Sequence, residues 1–196
     1  MNNLTACVER ETTETEISIE LNLDGSGVST IDTGVGFFDH MLTHVARHGL
    51  FDLRVKCVGD LQIDAHHTVE DVGICLGQAF AKAVGDKRGI NRYGSGLVPM
   101  DESLVQVALD ISGRPFLASN LNLPPAIIGT MSAELVDEFL RAFSLHAGLT
   151  LHVNKMAGTN LHHIAEAAFK ALGRALADAV QMRAGETGLP STKGAL

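Results

Sequence analysis

The chain has 196 residues, is 45% hydrophobic and 19% charged, and carries a formal charge of −8. That length can bury a core in one domain or two small ones, and the absence of any low-complexity run points to a folded protein. An acidic balance with no basic stripe argues against a nucleic-acid binder, although a few local Arg and Lys residues can still hold a phosphorylated substrate. The N-terminal stretch MNNLTACVERETTETE lacks the basic and apolar regions of a secretory signal, and no apolar run reaches the roughly 20 residues of a membrane span. Cys7, Cys57 and Cys75 are odd in number and widely spaced. They read as free thiols of a cytoplasmic protein, not as a disulfide frame or a metal site.

In chain order, EISIELNLD (16–24) alternates apolar and polar residues and predicts a strand, which GSG turns into a second near 28–32. GFFDHMLTHVARHG (36–49) has helical periodicity and ends at Gly49, a candidate C-cap. FDLRVKCVG (51–59) predicts a strand, and residues 66–84 an Ala-rich helix ending at Gly85. The order then recurs: strands over 104–112 and 116–123, a helix over 132–148, a strand over 149–155 and a helix over 162–180.

Moving residues 66–84 onto 162–180 superposes His66, His67, Glu70, Leu76, Gly77, Ala79, Ala81, Ala83 and Val84 on identical residues. Further upstream, Asp39 falls on Asp137, Leu42 on Leu140, His48 on His146 and Glu14 on Glu102. The chain is therefore read as an internal duplication of a β-β-α-β-α unit, with halves 1–91 and 92–196 meeting near RGINRYGSG, the second half carrying the C-terminal tail. Each half offers a one-faced sheet and two amphipathic helices. The economical α+β arrangement packs the helices between two sheets and leaves strand edges for self-association.

The duplicated segment carries His66-His67-Thr-Val-Glu70 and His162-His163-Ile-Ala-Glu166. On a helix, residues four apart share a face while neighbours point about 100° apart. His162 and Glu166 can close on one ion while His163 serves another, and His66, Glu70 and His67 repeat the arrangement. One such motif fits a solvated helix turn equally well; two at matching places favour a pair of interlocking imidazole–carboxylate sites. His40, whose duplicate position is Glu138, suggests one ion on His40, His67, His162 and Glu166, with its partner on His66, Glu70, His163 and Glu138. His44 alone reads as part of a polar helix face. With no thiolate, Mn, Fe, Zn and Co all suit the donors, and open octahedral positions favour Mn(II) or Fe(II). Arg92, Arg114 and Lys193, the last beside Ser191 and Thr192, form a candidate phosphate cradle. Either Glu14 or Glu102 could be a general acid or base.

At these residues the sequence resembles the imidazoleglycerol-phosphate dehydratase family. The resemblance is carried by LNLDGSG, FFDHMLTHVARHG, DAHHTVED, RYGSGLVPMDESL, SGRPF, LHHIAEAAFKALGRAL and PSTKG, and it spans essentially the whole chain. It implies a duplicated fold like the second domain of ribosomal protein S5, two Mn2+ ions per active site, and shells of 24 subunits with sites at subunit contacts. His40, His67, His162 and Glu166 are implied as ligands of one manganese and His66, Glu70 and His163 of the other. Glu138 stands where some relatives have a histidine. Glu14, His48, Arg92, Arg114, Lys170, Ser191, Thr192 and Lys193 are implied around the substrate, alongside the liganding His40, His66, His67, Glu70 and His162. The implied reaction of histidine biosynthesis removes water from imidazole glycerol phosphate to give imidazole acetol phosphate through a diazafulvene-like intermediate. Glu14 is the implied proton carrier, with Glu70 and Glu166 as alternatives. A metal-storage module is the rival reading, against which the phosphate cradle argues. A ferritin-like di-iron protein would need four helices and no interleaved strands.

Overall fold

The computed structural model describes residues 4–195, so the outer ends of the two expected halves, residues 1–3 and 196, lie outside the described residues. The first half runs β1 (Thr5–Glu11), β2 (Thr15–Asn22), β3 (Ser29–Asp32), α1 (Gly36–Gly49), β4 (Asp52–Gly59) and α2 (His66–Val84). The second runs β5 (Tyr93–Met100), β6 (Ser103–Asp110), β7 (Phe116–Ser119), a small hairpin β8 (Ile127–Ile128) and β9 (Met131–Ser132), then α3 (Leu135–Ala147), β10 (Thr150–Ala157) and α4 (Leu161–Val180). The fold is α+β, a duplicated strand–strand–helix–strand–helix unit with one further strand leading each copy.

The two four-stranded sheets have matching orders, β1-β2-β4-β3 and β5-β6-β10-β7. Their registers match as well. Thr5 faces Asn22 as Tyr93 faces Asp110, and Asn22 faces Asp52 as Asp110 faces Thr150. In each sheet one face is apolar because the pleat alternates. Ile17, Ile19 and Leu21 of β2 and Leu53 and Val55 of β4 are buried, as are Val105, Val107 and Leu109 of β6 and Leu151 and Val153 of β10. The four helices lie between those faces. Helix α1 packs on α4, and α2 on α3, so each helix pair joins the two halves.

Two features let the helices approach. Five phenylalanines, one or two per helix, form a connected row: Phe38 meets Phe139 edge-on at 5.4 Å, Phe139 stacks on Phe169 at 5.1 Å, and Phe143 joins Phe139 to Phe80. Such pairs add about 0.5–1.5 kcal/mol each beyond the area they bury. The other feature is glycine at the crossings. A Cβ on Gly173 of α4 would lie 2.7 Å from the Val45 carbonyl oxygen of α1, and one on Gly77 of α2 would lie 2.7 Å from the Phe143 carbonyl of α3. Gly77 and Gly173 are duplicate positions.

Gly49 proves to be the last residue of α1, and Leu50 (φ 56°) takes the left-handed cap position in its place. Gly49 is needed because Phe51 and the Gly173 backbone crowd its α-carbon. No helix among the described residues is long and apolar enough to cross a membrane.

Candidate metal centre

Helix α1 presents its apolar side, Phe37, Phe38, Met41, Leu42 and Val45, to the core and carries His40, His44 and His48 along the flank of that side. Its first turn is tied down by Asp39, whose Oδ1 accepts from the Thr33 backbone N–H (3.0 Å) and hydroxyl (2.5 Å). Helix α4 starts at Asn160, whose side-chain oxygen accepts from the backbone N–H groups of His162 (3.0 Å) and His163 (3.3 Å). That N-cap fixes the turn from which both imidazoles project. Phe37 meets the His162 ring edge-on at 5.2 Å and limits its rotation.

Where α1 crosses α4, one donor atom each from His40, His162 and Glu166 lie within 4.8 Å of one another. Glu166 Oε2 is 3.2 Å from His162 Nε2 and 3.5 Å from His40 Nε2; its Oε1 is 3.5 Å from His44 Nε2 and 2.5 Å from Lys170 Nζ. Burial would raise the Glu166 carboxyl, but the Lys170 hydrogen bond and its other positive neighbours overcome this and bring it down to about 2. Burial pushes the His44 imidazole down to about 4, against the pull of Glu166. The carboxylate is therefore charged and the neighbouring His44 ring neutral near pH 7, which are the forms that bind a divalent cation. Imidazole and carboxylate donors fit a borderline first-row ion. Thiols take no part: burial raises Cys57 to about 12 and Cys75 to about 11.

The duplicate pair, His66 and Glu70 on α2, stands 3.8 Å apart, and Glu138 on α3 faces Arg141 at 3.7 Å. The second histidine of each motif turns away from its own glutamate, as helical rotation requires. His67 Nδ1 is 2.9 Å from Asp60 and its Nε2 3.7 Å from Glu14; His163 Nδ1 is 2.7 Å from Glu102. Within one chain His67 is thus not brought to His40, His162 and Glu166. Nor does His163 have a described contact with His66 and Glu70.

His48 sits one turn beyond His44, its pKa lowered by burial and by Lys170. Arg92 is almost wholly buried. Asp110 receives its Nε (2.6 Å) and Nη2 (3.0 Å) N–H groups, and the Pro190 carbonyl its Nη1 (2.8 Å). The fork ties the start of β5 to the C-terminal segment, where Ser191 and Thr192 line the same cleft. Arg114 is 69% exposed, 3.8 Å from Asp110, on a turn held by the Thr150 hydroxyl donating to the Arg114 carbonyl (3.0 Å). Lys193 is exposed in the adjoining tail. Asp60 and Asp110 escaped sequence reasoning: Asp60 lies in a loop seven residues before the ring it contacts, outside any motif.

A buried carboxylate ringed by imidazoles from both halves of a duplicated α+β fold defines a candidate metal enzyme. A family model described as imidazoleglycerol-phosphate dehydratase matches residues 33–176, and the chain belongs to that family, whose name denotes a carbon–oxygen hydro-lyase. Its relatives include the imidazoleglycerol-phosphate dehydratase of Moorella thermoacetica, 62% identical over 191 residues and 97% of each chain. The crystal structure of the Staphylococcus aureus dehydratase is similar at a TM-score of 0.81 and 40% identity, over 91% of this chain and 100% of that one. The Pyrococcus furiosus enzyme in complex with (S)-C348 is similar at a TM-score of 0.83 and 36% identity, over 96% of this chain and 100% of that one.

Proposed function

We propose that this protein is a metal-dependent dehydratase of histidine biosynthesis, converting imidazole glycerol phosphate to imidazole acetol phosphate and water. The observation that carries the reading is the convergence of His40, His162 and the ionised Glu166 from two helices of different halves. Membership of the dehydratase family supports it. Two Mn2+ ions per site are assigned, one to the His40–His162–Glu166 group and one to His66 and Glu70, with Glu138 as a further candidate ligand. His67 and His163 point outward from these groups in their own chain, so a second copy supplies them, and the active form is a homo-oligomer. The units of duplication are residues 1–91 and 92–196. The compartment is the cytoplasm.

When bound, the ions supply Lewis-acid stabilisation of negative charge developing on the imidazole ring of the substrate. The chain's own residues do the rest. Arg114, Lys193 and the Ser191 and Thr192 hydroxyls hold the phosphate, with Arg92 fastening their segment. His48 and Lys170 complete the substrate pocket. Glu14, half-exposed and 3.7 Å from His67 Nε2, carries the proton that leaves carbon and returns when the enol becomes the ketone. The hydroxyl departs as water by taking up a proton from the site, which the enol O–H replaces when the ketone forms.

The test is ketone release from imidazole glycerol phosphate by EDTA-treated protein, before and after adding Mn2+. Treated protein should be inactive and Mn2+ should restore turnover; full activity without metal would defeat the reading. Arg114→Ala should raise KM for the phosphorylated substrate about 10- to 100-fold, as expected for one lost charge-assisted hydrogen bond. The value of kcat should stay within a few-fold, and inhibition by inorganic phosphate should weaken in parallel. An unchanged KM would remove Arg114 from the cradle.

A further inference from the structure

We propose that Asp60 and Glu102 are positioning residues that fix the ring tautomers of His67 and His163, so that each presents a bare Nε2 to a divalent ion. The inference rests on the metal-dependent reading above. A carboxylate only accepts hydrogen bonds. Asp60 Oδ2 lies 2.9 Å from His67 Nδ1, and Glu102 Oε2 lies 2.7 Å from His163 Nδ1. Each Nδ1 must therefore carry the hydrogen. A neutral imidazole has only one, so the lone pair falls on Nε2, which has the Glu14 carboxylate 3.7 Å away in His67 and the Asp101 carboxylate 3.7 Å away in His163, neither within hydrogen-bond reach. Carboxylate–imidazole–metal arrangements of this kind orient the ring and raise its basicity.

The duplication sharpens the assignment. Glu102 has Glu14 as its duplicate, yet the two perform different tasks. Glu102 grips Nδ1 of His163, and its Oε1 accepts from the Asn160 backbone N–H (3.0 Å) and the Ser103 hydroxyl (3.0 Å). It holds the cap of α4 and the ring together. Glu14 does not touch Nδ1 of His67; it stands near Nε2, at 3.7 Å, too far for a hydrogen bond. In the first half the orienting task has passed to Asp60, just beyond β4, whose other oxygen is buried without a hydrogen-bond partner among the described residues. Beyond its backbone hydrogen bonds to the Glu14 carbonyl (3.1 Å) and from the Ile63 N–H (2.8 Å), the Asp60 side chain holds only the His67 ring among the described residues, and Glu14 is released for proton transfer. The broken symmetry answers which of the duplicate glutamates orients and which reacts.

The test uses the full chain, metal-free, with nitrogen-15 spectra of the histidine rings at a pH where they are neutral, followed by titration with Mn2+ alone. Wild-type His163 and His67 should both show the Nδ1–H form. In Glu102→Gln the amide oxygen can keep the Asn160 N–H and turn its NH2 toward the ring. Nδ1 then accepts, the proton moves to Nε2, and Mn2+ binding at one site should weaken about 10- to 100-fold. Glu14→Gln should leave both tautomers unchanged. Wild-type protein that takes up no Mn2+ would sink the metal reading itself. Wild-type protein that binds Mn2+, with a Glu102→Gln variant that keeps the Nδ1–H form or binds Mn2+ within twofold of wild type, would overturn this assignment alone. Should Glu102→Gln not fold, Asp60→Asn reads out the same inference at His67.

Discussion

Replacing Glu166 with Gln should lower kcat/KM on the order of a thousandfold and strip the protein of at least one ion. The side chain is nearly isosteric, so the packing at the α1–α4 crossing is retained. What is lost is the single buried negative charge at which His40, His44, His162 and Lys170 meet. A neutral amide is a poor ligand for a hard or borderline divalent cation, and the Lys170 ammonium 2.5 Å away would remain with no anion to offset it. Loss of one charge-stabilising group in an active site is worth about 10²–10³ in rate, and loss of the ion adds to that. Metal content per chain and kcat/KM, measured on the same sample with thermal melting as a control, check this. A variant that keeps both its metal and its rate would show that Glu166 is a structural acid.

Gly173→Val should destabilise the fold by about 3 kcal/mol and lower the melting temperature by roughly 6–12 °C. A Cβ on Gly173 meets backbone, not a flexible side chain: the Val45 carbonyl oxygen at 2.7 Å, the Gly49 nitrogen at 3.1 Å and the Val45 α-carbon at 3.2 Å. The helices can relieve that only by moving apart. Because α1 carries His40 and α4 carries His162 and Glu166, the separation that relieves the clash also opens the ligand group. Mn2+ affinity should therefore fall with stability, although Gly173 touches no ligand. Val at Gly77, the duplicate crossing of α2 and α3, should destabilise similarly and should spare the His40–His162–Glu166 group. Equal Mn2+ affinity in wild type and Gly173→Val would separate the packing from the site.

Much of this was legible in the chain because the repeat and the helical period are both encoded in residue order. The two HHxxE segments lie on α2 and α4, and the divergence of each histidine pair follows from rotation along a helix. The leading strands were not legible, for reasons particular to each. In β5 the inward positions Gly94 and Gly96 bear no side chains, since α4 passes so close that a Cβ would strike the carbonyls of Ala175 and Ala171. The apolar half of the alternation is thus supplied by another element. In β1 the inward row includes Arg10, which reaches Asp71 at 3.4 Å, so a charge interrupts the pattern. The expected strand over 116–123 stops at Ser119, because Asn120 turns its side-chain oxygen to the Lys155 backbone N–H (2.7 Å). Arg92 shows the same limit at the site. Its charge and glycine-rich setting mark a candidate phosphate ligand, but the partners that hold it, Asp110 and Pro190, are distant in sequence and no motif announces them.

That two neighbouring imidazoles on one helix serve different ions can be put to a direct trial by anomalous diffraction at the manganese edge from Mn2+-loaded crystals. The account predicts two peaks per chain, with His162 and Glu166 on one and His163 on the other, and the same division between His66 with Glu70 and His67. A single peak per chain, or one ion bound by both members of a histidine pair, would contradict it.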